Sequence, residues 1–253
     1  MANYTIQYWD GDDIDLEYDD VKHTYMVGDR KVPSVTRVVD AVFPKYLTEW
    51  AAQAGADYWA NNCGDDEDGV ALLKGRNMYN GILNAHKQIS HKAQEIGLEV
   101  HKWIELWIKF MISGGEIETD YPDHVKVPMQ NFHDWELSRD IEYLACEKKV
   151  YSRSWEYAGT IDALAKVNGK LCVIDFKTSA KIYKEYYLQV SAYCNAIGEM
   201  MGELPKLGVI VRVDKEEEKF QEVAFDPWQH NDVFIDALNV KRFQSERIKK
   251  VKL

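Results

Sequence analysis

The sequence predicts a layered α/β fold, and three observations carry that expectation. Apolar residues recur every three or four positions from about residue 81 to 111, the period of one helix face. Strand-like runs follow between residues 148 and 178, and a helix, two further strands and a last helix come after them. The order helix, three strands, helix, strand describes a sheet with helices laid on it. With 253 residues, 46% of them hydrophobic, the chain can bury a substantial core.

Taken in order, residues 1–39 read as short β pieces, YTIQYW and HTYMV, with turn signals at Gly11 and Gly28. Helical patterning covers 41–60, and a Gly/Asp-rich connection fills 61–75. In the long helix, Ile89, Ala93, Ile96, Val100, Trp103, Trp107 and Met111 form the stripe expected to face the core, and Gly114-Gly115 stops it. A polar stretch with Pro122 and Pro128 leads to a second helix at about 129–144. The strands KKVYSR (148–153), YAGTIDALAKV (157–167) and KLCVIDFKT (170–178) come next, with Asn168-Gly169 as a hairpin turn between the last two. A helix at 184–201, strands at 207–213 and 219–225, and a helix after Pro227 complete the chain. The acidic stretches (seven carboxylates in 10–20, DDED at 65–68 and EEE at 216–218) read as solvated loops or turns.

Lys and Arg total 31 against 42 Asp and Glu, a formal charge of -11, so overall charge argues against a protein that coats nucleic acid. Local basic patches remain open. No run of 18 apolar residues exists, and residues 1–20 are acidic and lack Arg. The expectation is a cytoplasmic protein of a bacterium or a virus-infected host cell, with no membrane partner. Cys63, Cys146, Cys172 and Cys194 contain no CxxC pair; two lie in apolar runs as core thiols, and none demands a disulfide.

The chemistry concentrates in the predicted hairpin. Asp175 and Lys177, two apart on a strand, share a face, and Asp162 on the paired strand can approach them. Carboxylates brought together call for a cation, and hard oxygens suit Mg²⁺ or Mn²⁺, which can polarise a phosphodiester and activate water beside an ammonium. The alternative is a partly exposed Asp–Lys pair of little energetic consequence. Because VIDFKT is apolar up to Ile174, Asp175 stands where a buried sheet meets solvent. On the next helix Gln189 and Tyr193, four apart, share a face. They are either an ordinary surface pair or part of the site.

Together these segments, GTID (159–162), IDFKTS (174–179) and QVSAY (189–193), resemble the PD-(D/E)XK nuclease superfamily in its RecB-like branch. Gly97-x-x-x-His101 resembles that branch's histidine motif. Pro33-Ser34-Val35-Thr36-Arg37 resembles the start of the phage and mitochondrial genome maintenance exonucleases; read alone, it is an X-Pro turn entering a capped helix. The likeness spans about residues 30 to 200. It implies a mixed central β-sheet flanked by helices, with residues 1–80 contributing to an N-terminal helical cap and 81–253 forming the nuclease core. The cap would extend over about 40–115.

The resemblance further implies a metal site made by His101, Asp162, Asp175 and the Phe176 carbonyl, with Lys177 on the attacking water or the scissile phosphate. Gln189 and Tyr193 would support the site or touch the DNA backbone. Glu147 is either a further acid on the first strand or a solvated strand-edge residue, and Arg37 and Lys181 are further candidates. Some relatives hold an iron–sulfur cluster on four cysteines, but the spacing here departs from theirs and no cluster is expected. The implied activity is a metal-dependent DNA exonuclease acting on single-stranded or free-ended DNA in recombination, repair or replication. A structure-specific endonuclease and a non-catalytic DNA-binding or inhibitory module are the alternatives. Lys166, Lys170, Lys177, Lys181 and Lys184, together with the six basic residues of 241–253, would form a local groove. Trp155, Tyr157, Tyr183, Tyr186 and Tyr187 lie near the motifs, where aromatic rings can stack on unpaired bases.

Overall fold

The computed structural model describes residues 1–43, 48–62 and 75–246. They fall into two compact units, one of Met1–Pro44 with Val100–Leu253 and one of Lys45–Glu99. The 65–68 acidic run, Cys63 and residues 247–253 of the basic C-terminal stretch lie outside the described residues.

The first unit opens with four short strands, β1 (Ala2–Ile6), β2 (Ile14–Asp19), β3 (Thr24–Val27) and β4 (Arg30–Val32), which pair in order as an antiparallel sheet. Two expectations are corrected here. The N-terminal region is built of strands in the same unit as the main sheet, not of a helical cap. The acidic run 10–20 is not all loop, because Ile14, Leu16 and Tyr18 alternate with carboxylates, and Leu16 is fully buried in β2. Charge density hid a period-two strand. Helix α1 (Val35–Val42) follows, with the Ser34 hydroxyl accepting from the Arg37 backbone N–H at its start, as the capped X-Pro reading expects.

The second unit contains helix α2 (Thr48–Asn62) and the first part of the long helix α3 (Gly75–Ser113). Gly81 lies beneath the Tyr58 ring, where a Cβ would come within 2.3 Å. Glycine there permits the close approach. The rest of α3 belongs to the first unit, and its buried stripe is Val100, Ile104 and Ile108. Ile89 and Met111, expected in the core, are about half exposed. The stripe drifted because a single heptad-like register cannot be held along 39 residues at 3.6 per turn.

Helix α4 (Asp123–Leu137) begins and ends earlier than the sequence predicted. Pro128 lies inside it, near enough to the start to cost one intrahelical hydrogen bond, and a turn at Ser138 frees residues 141–147 to join the first strand. The main sheet runs β5 (Ile141–Ser152), β6 (Tyr157–Val167), β7 (Lys170–Lys177), β8 (Leu207–Val213), β9 (Phe220–Phe225), each neighbouring the next. All pairs are antiparallel except β7–β8, which helix α5 (Lys184–Met201) connects as a parallel crossover. The sheet is therefore mixed and flanked by helices. Asn168 and Gly169 both take left-handed φ values, 48° and 75°, which a tight β6–β7 turn of the Asn-Gly kind requires.

The two faces of β7 are covered by different helices. Phe176 packs edge-on against Phe132 and Trp135 of α4, at centroid distances of 5.4 and 5.6 Å. Leu171 and Val173 join the other core with Val190, Cys194 and Ile197 of α5. Helix α6 (Asn231–Ser245), entered through a 3₁₀ turn at Pro227–His230, closes that core with Phe234 and Leu238. Cys172 and Cys194 are buried thiols, as expected of residues in apolar runs. No helix among the described residues is long and apolar enough to cross a membrane.

Phe234 is fully buried and meets the Tyr157 ring edge-on at 4.9 Å, joining α6 to β6. Phe234→Ala should destabilise the protein by about 3–5 kcal/mol, read as a lower urea midpoint with an unchanged slope.

Candidate active site

Strand β7 enters the core as an apolar run and ends on Asp175-Phe176-Lys177. Alternation sends Phe176 into the α4 layer and leaves Asp175 and Lys177 facing α5. Asp175 is 1% exposed at its side chain, and Lys177 Nζ lies 2.7 Å from its Oδ2. The ammonium is the partner of Asp175 Oδ2, while Oδ1 is met from α5. Burial raises the proton affinity of Asp175, Asp162 adds to the rise, and the Lys177 ammonium opposes it. For Lys177, burial favours the neutral amine but Asp175 and Asp162 outweigh it, so the ammonium form is strengthened.

Asp162, midway along β6, accepts the Phe176 backbone N–H on Oδ2 at 2.8 Å, which fixes the two strands at the site. Its proton affinity is raised by burial, with Lys177 and the Phe176 N–H pulling the other way. His101, one turn beyond Gly97 on α3, brings Nδ1 to 3.6 Å from the same Oδ2. Burial and the Lys177 charge push its imidazole down to about 4 against an opposing pull from Asp175, so the ring is neutral at pH 7 and keeps a lone pair for coordination.

Helix α5 supplies the clamp. The Gln189 carbonyl accepts from Lys177 Nζ at 3.2 Å, while its amide donates to Asp175 Oδ1 at 3.1 Å and to the Tyr193 hydroxyl at 3.3 Å. One amide thus holds both members of the ion pair, and Gln189 and Tyr193 are not a surface pair. Tyr193 is buried, which holds its phenol firmly protonated. The ring fits because residue 159 is glycine: a Cβ there would come within 2.5 Å of Tyr193 Cε1. The glycine of GTID is thus a packing requirement of the α5 motif.

Three participants were not anticipated in these roles. The Tyr186 ring, one turn before Gln189, lies with its centroid 4.7 Å from Lys177 Nζ, a cation–π contact. Arg212, register partner of Lys177 across the parallel β7–β8 pair, is buried and donates from Nε to the Ser179 carbonyl at 2.6 Å. It pins the loop that leaves β7. Asp214 in turn accepts from Arg212 Nη2. A lone Arg in the apolar run LGVIVRV was the available signal for the last two.

The remaining candidates separate. Glu147 is half-buried with φ 49° at the position facing Asp162, between the Cys146–Ala163 and Lys148–Ile161 pairs. Burial, then Asp162 and Glu105, raise its carboxyl to about 7, so a solvated strand-edge residue does not describe it. Arg37 donates to the Lys22 carbonyl at 2.7 Å and lines a different cavity. Lys181 is exposed, with its ammonium over the Tyr183 ring. Lys166 and Lys170 flank the Asn168-Gly169 turn, the far end of the hairpin from Lys177, about 20 Å away at the rise of a strand. The five lysines therefore do not form one groove. Tyr157 is buried and donates to the Ala192 carbonyl, and Tyr187 packs on Phe225 and His230.

The donor types are those a hard divalent cation takes: a buried and a half-buried carboxylate, both of raised proton affinity, and a neutral imidazole beside the second. Among the described residues no group of three His, Cys, Asp or Glu side chains is placed to hold a metal ion as the side chains stand; the Lys177 ammonium lies against Asp175 and a backbone N–H occupies Asp162 Oδ2.

Fold and site together define a mixed α/β protein with a buried acid–lysine–glutamine centre at the end of its sheet. No family model matches the sequence, and no curated protein matches it. Among solved structures, the chain is similar to LHK-Exo in complex with dAMP, at 14% identity and a TM-score of 0.34, over 78% of this chain and 91% of that one. It is also similar to the alkaline exonuclease LHK-Exo from Laribacter hongkongensis, at 10% identity and a TM-score of 0.29, over 75% of this chain and 96% of that one. A third similarity is to SSO0001, at 14% and 0.28, where 48% of this chain spans 56% of that one.

The Arg212–Asp214 bracket gives a pH prediction. Burial disfavours the Asp214 carboxylate, but the Glu216 and Glu217 backbone N–H groups and Arg212 overcome it and hold the group at about 2. A carboxyl depressed in the folded state stabilises above its unfolded value near 4 and loses that contribution as pH falls through about 2, a change of about 2 kcal/mol. Asp214→Asn should lower the urea midpoint at pH 7, and the difference from wild type should shrink over that acid range.

Proposed function

We propose that the chain is a divalent-metal-dependent nuclease of the PD-(D/E)XK kind, hydrolysing phosphodiester bonds of DNA. The single observation that carries the reading is the buried Asp175–Lys177 ion pair, closed at 2.7 Å and clamped by Gln189, with Asp162 and His101 beside it. Exonuclease action on single-stranded or free-ended DNA, and a role in recombination, repair or replication, rest on the sequence resemblance.

His101, Asp162, Asp175 and the Phe176 carbonyl would hold Mg²⁺ or Mn²⁺, which would supply polarisation of the phosphodiester and a more acidic water. The chain's own residues do the rest. Lys177, held as an ammonium by both acids, would orient the attacking water and offset charge gathering on the phosphate. Gln189 fixes the ammonium against Asp175 from one side, and Tyr186 bounds it on another. Tyr193 keeps the Gln189 amide turned so that its oxygen meets Lys177 and its nitrogen meets Asp175.

End-labelled single- and double-stranded DNA should be degraded with Mg²⁺ or Mn²⁺ and left intact in excess chelator, while circular single strands should survive. Full activity in chelator would sink the proposal, and cleavage of circles would favour an endonuclease. Mn²⁺ should raise the melting temperature of the protein, and His101→Ala should weaken Mn²⁺ affinity in that assay by about 10-fold or more.

Lys177→Ala should lower turnover by about 10²–10⁴-fold while the variant still gains thermal stability from Mn²⁺. Turnover near that of the wild type would remove the lysine from the chemistry.

A further inference from the structure

Away from the buried acids, the first unit carries a cavity of about 620 Å³ whose charged lining residues are mostly cationic. Arg30, Lys31 and Arg37 come from β4 and α1, and Lys241 and Arg242 from the end of α6; the carboxylates in the lining are Glu156 and Glu246. For a chain of charge -11 this is a strong local inversion. Little of the positive charge is neutralised from within. Arg30 pairs with Glu156 at 2.6 Å, but Arg37 is anchored by the Lys22 carbonyl and Arg242 by the Trp155 carbonyl, uncharged acceptors that leave each guanidinium its full charge. Lys31 and Lys241 make no ion pair with a described residue.

The cavity is built onto the strand that carries Asp162. The Ala158 N–H donates to the Pro33 carbonyl at 2.9 Å, and Ser34 bridges Ala158 in parallel. Two residues on, the Tyr25 hydroxyl and the Thr160 hydroxyl are 2.8 Å apart. The cavity's wall and Asp162 are therefore fixed to one frame, the wall attached at Ala158, four residues or about 13 Å along β6 from Asp162. A compact anion would need only one or two of these groups. A row of donors spread over β4, α1 and α6 fits a chain of evenly spaced phosphates.

We propose that this cavity is a second nucleic-acid subsite, holding backbone phosphates of a single strand a few nucleotides from the position at the buried acids. The choice of ligand rests on the nuclease reading above. Contacts of this kind position a strand without reading its sequence, and their strength falls with salt in proportion to the phosphates neutralised.

The test uses the full chain in chelator, with fluorescein-labelled single-stranded DNA followed by anisotropy across a salt series. Lys31→Glu/Lys241→Glu should weaken binding by about 10-fold or more and flatten the log–log salt slope by roughly 1.4, two contacts at about 0.7 each. Lys170→Glu, at the remote hairpin turn, should change neither. Wild-type affinity and slope in the double variant would overturn the subsite, as would an equal loss in Lys170→Glu or a wild type with no measurable affinity. Binding in chelator needs no turnover, so a wild type that binds in this way and never cleaves with Mg²⁺ or Mn²⁺ fails the nuclease reading alone. Cleavage of a small chromogenic phosphodiester by the double variant at the wild-type rate is expected, since the acids and Lys177 are untouched.

Discussion

The arrangement of this protein turns on one costly act: placing the Asp175 carboxylate and the Lys177 ammonium in the interior at the end of β7. Two desolvated charges are tolerated only when each is paired and their remaining donors and acceptors are met. Gln189 meets most of that demand with a single amide, and this requires α5 to lie at a fixed height over β7. Tyr193 fixes the amide, Gly159 makes room for Tyr193, and the Phe176 N–H ties Asp162 to the same spot. The chain of requirements runs from a pair of charges to a helix position, and from there to the absence of a side chain on a neighbouring strand.

The alternation of β7 serves both layers at once. Phe176 fills the α4 face with Phe132 and Trp135, so a slip of one residue would drive an aromatic ring toward Gln189 and a carboxylate into an aromatic cluster. Hydrophobic packing on one face thus enforces the electrostatics on the other. The parallel β7–β8 pair extends the same logic, since it sets Arg212 beside Lys177 and lets a buried guanidinium hold the loop that follows.

Much of this was legible in the sequence, for identifiable reasons. Strand β6, β7's start, α5 and β8 were read to the residue because their apolar runs are continuous and the Asn-Gly turn is unambiguous. The acids and the lysine stood out by their spacing on the hairpin, the QxxxY pair and His101 by the family resemblance, and the structure gathers them in one place. What failed were features set by partners far along the chain. The β2 strand was masked by its own charge, the α3 stripe was followed past the point where its face changes, and Pro128 was taken as a boundary though α4 absorbs it. Tyr186 gave no spacing signal because its role depends on where Lys177 lies. The lysines seemed to cluster because sequence proximity counts both ends of a hairpin as one place.

The field within the site explains how an acidic protein can suit a polyanion. Asp162, Asp175 and Glu147 all have raised proton affinities, and in each case burial is joined or opposed by neighbouring charge; Lys177 is the cation that lowers both aspartates. A phosphodiester brought to that place meets a surplus of carboxylate that one ammonium cannot balance. A divalent cation between the acids would balance it at the reacting atoms, and cationic groups displaced along β6 would hold the flanking phosphates without adding to the crowding. On the proposed reading the two positive contributions would differ in geometry because they answer different problems: one would sit at the acids at short range, the other would span several phosphates at the surface. Overall charge, which sums these with the acidic stretch 10–20 that includes β2, carries neither piece of information.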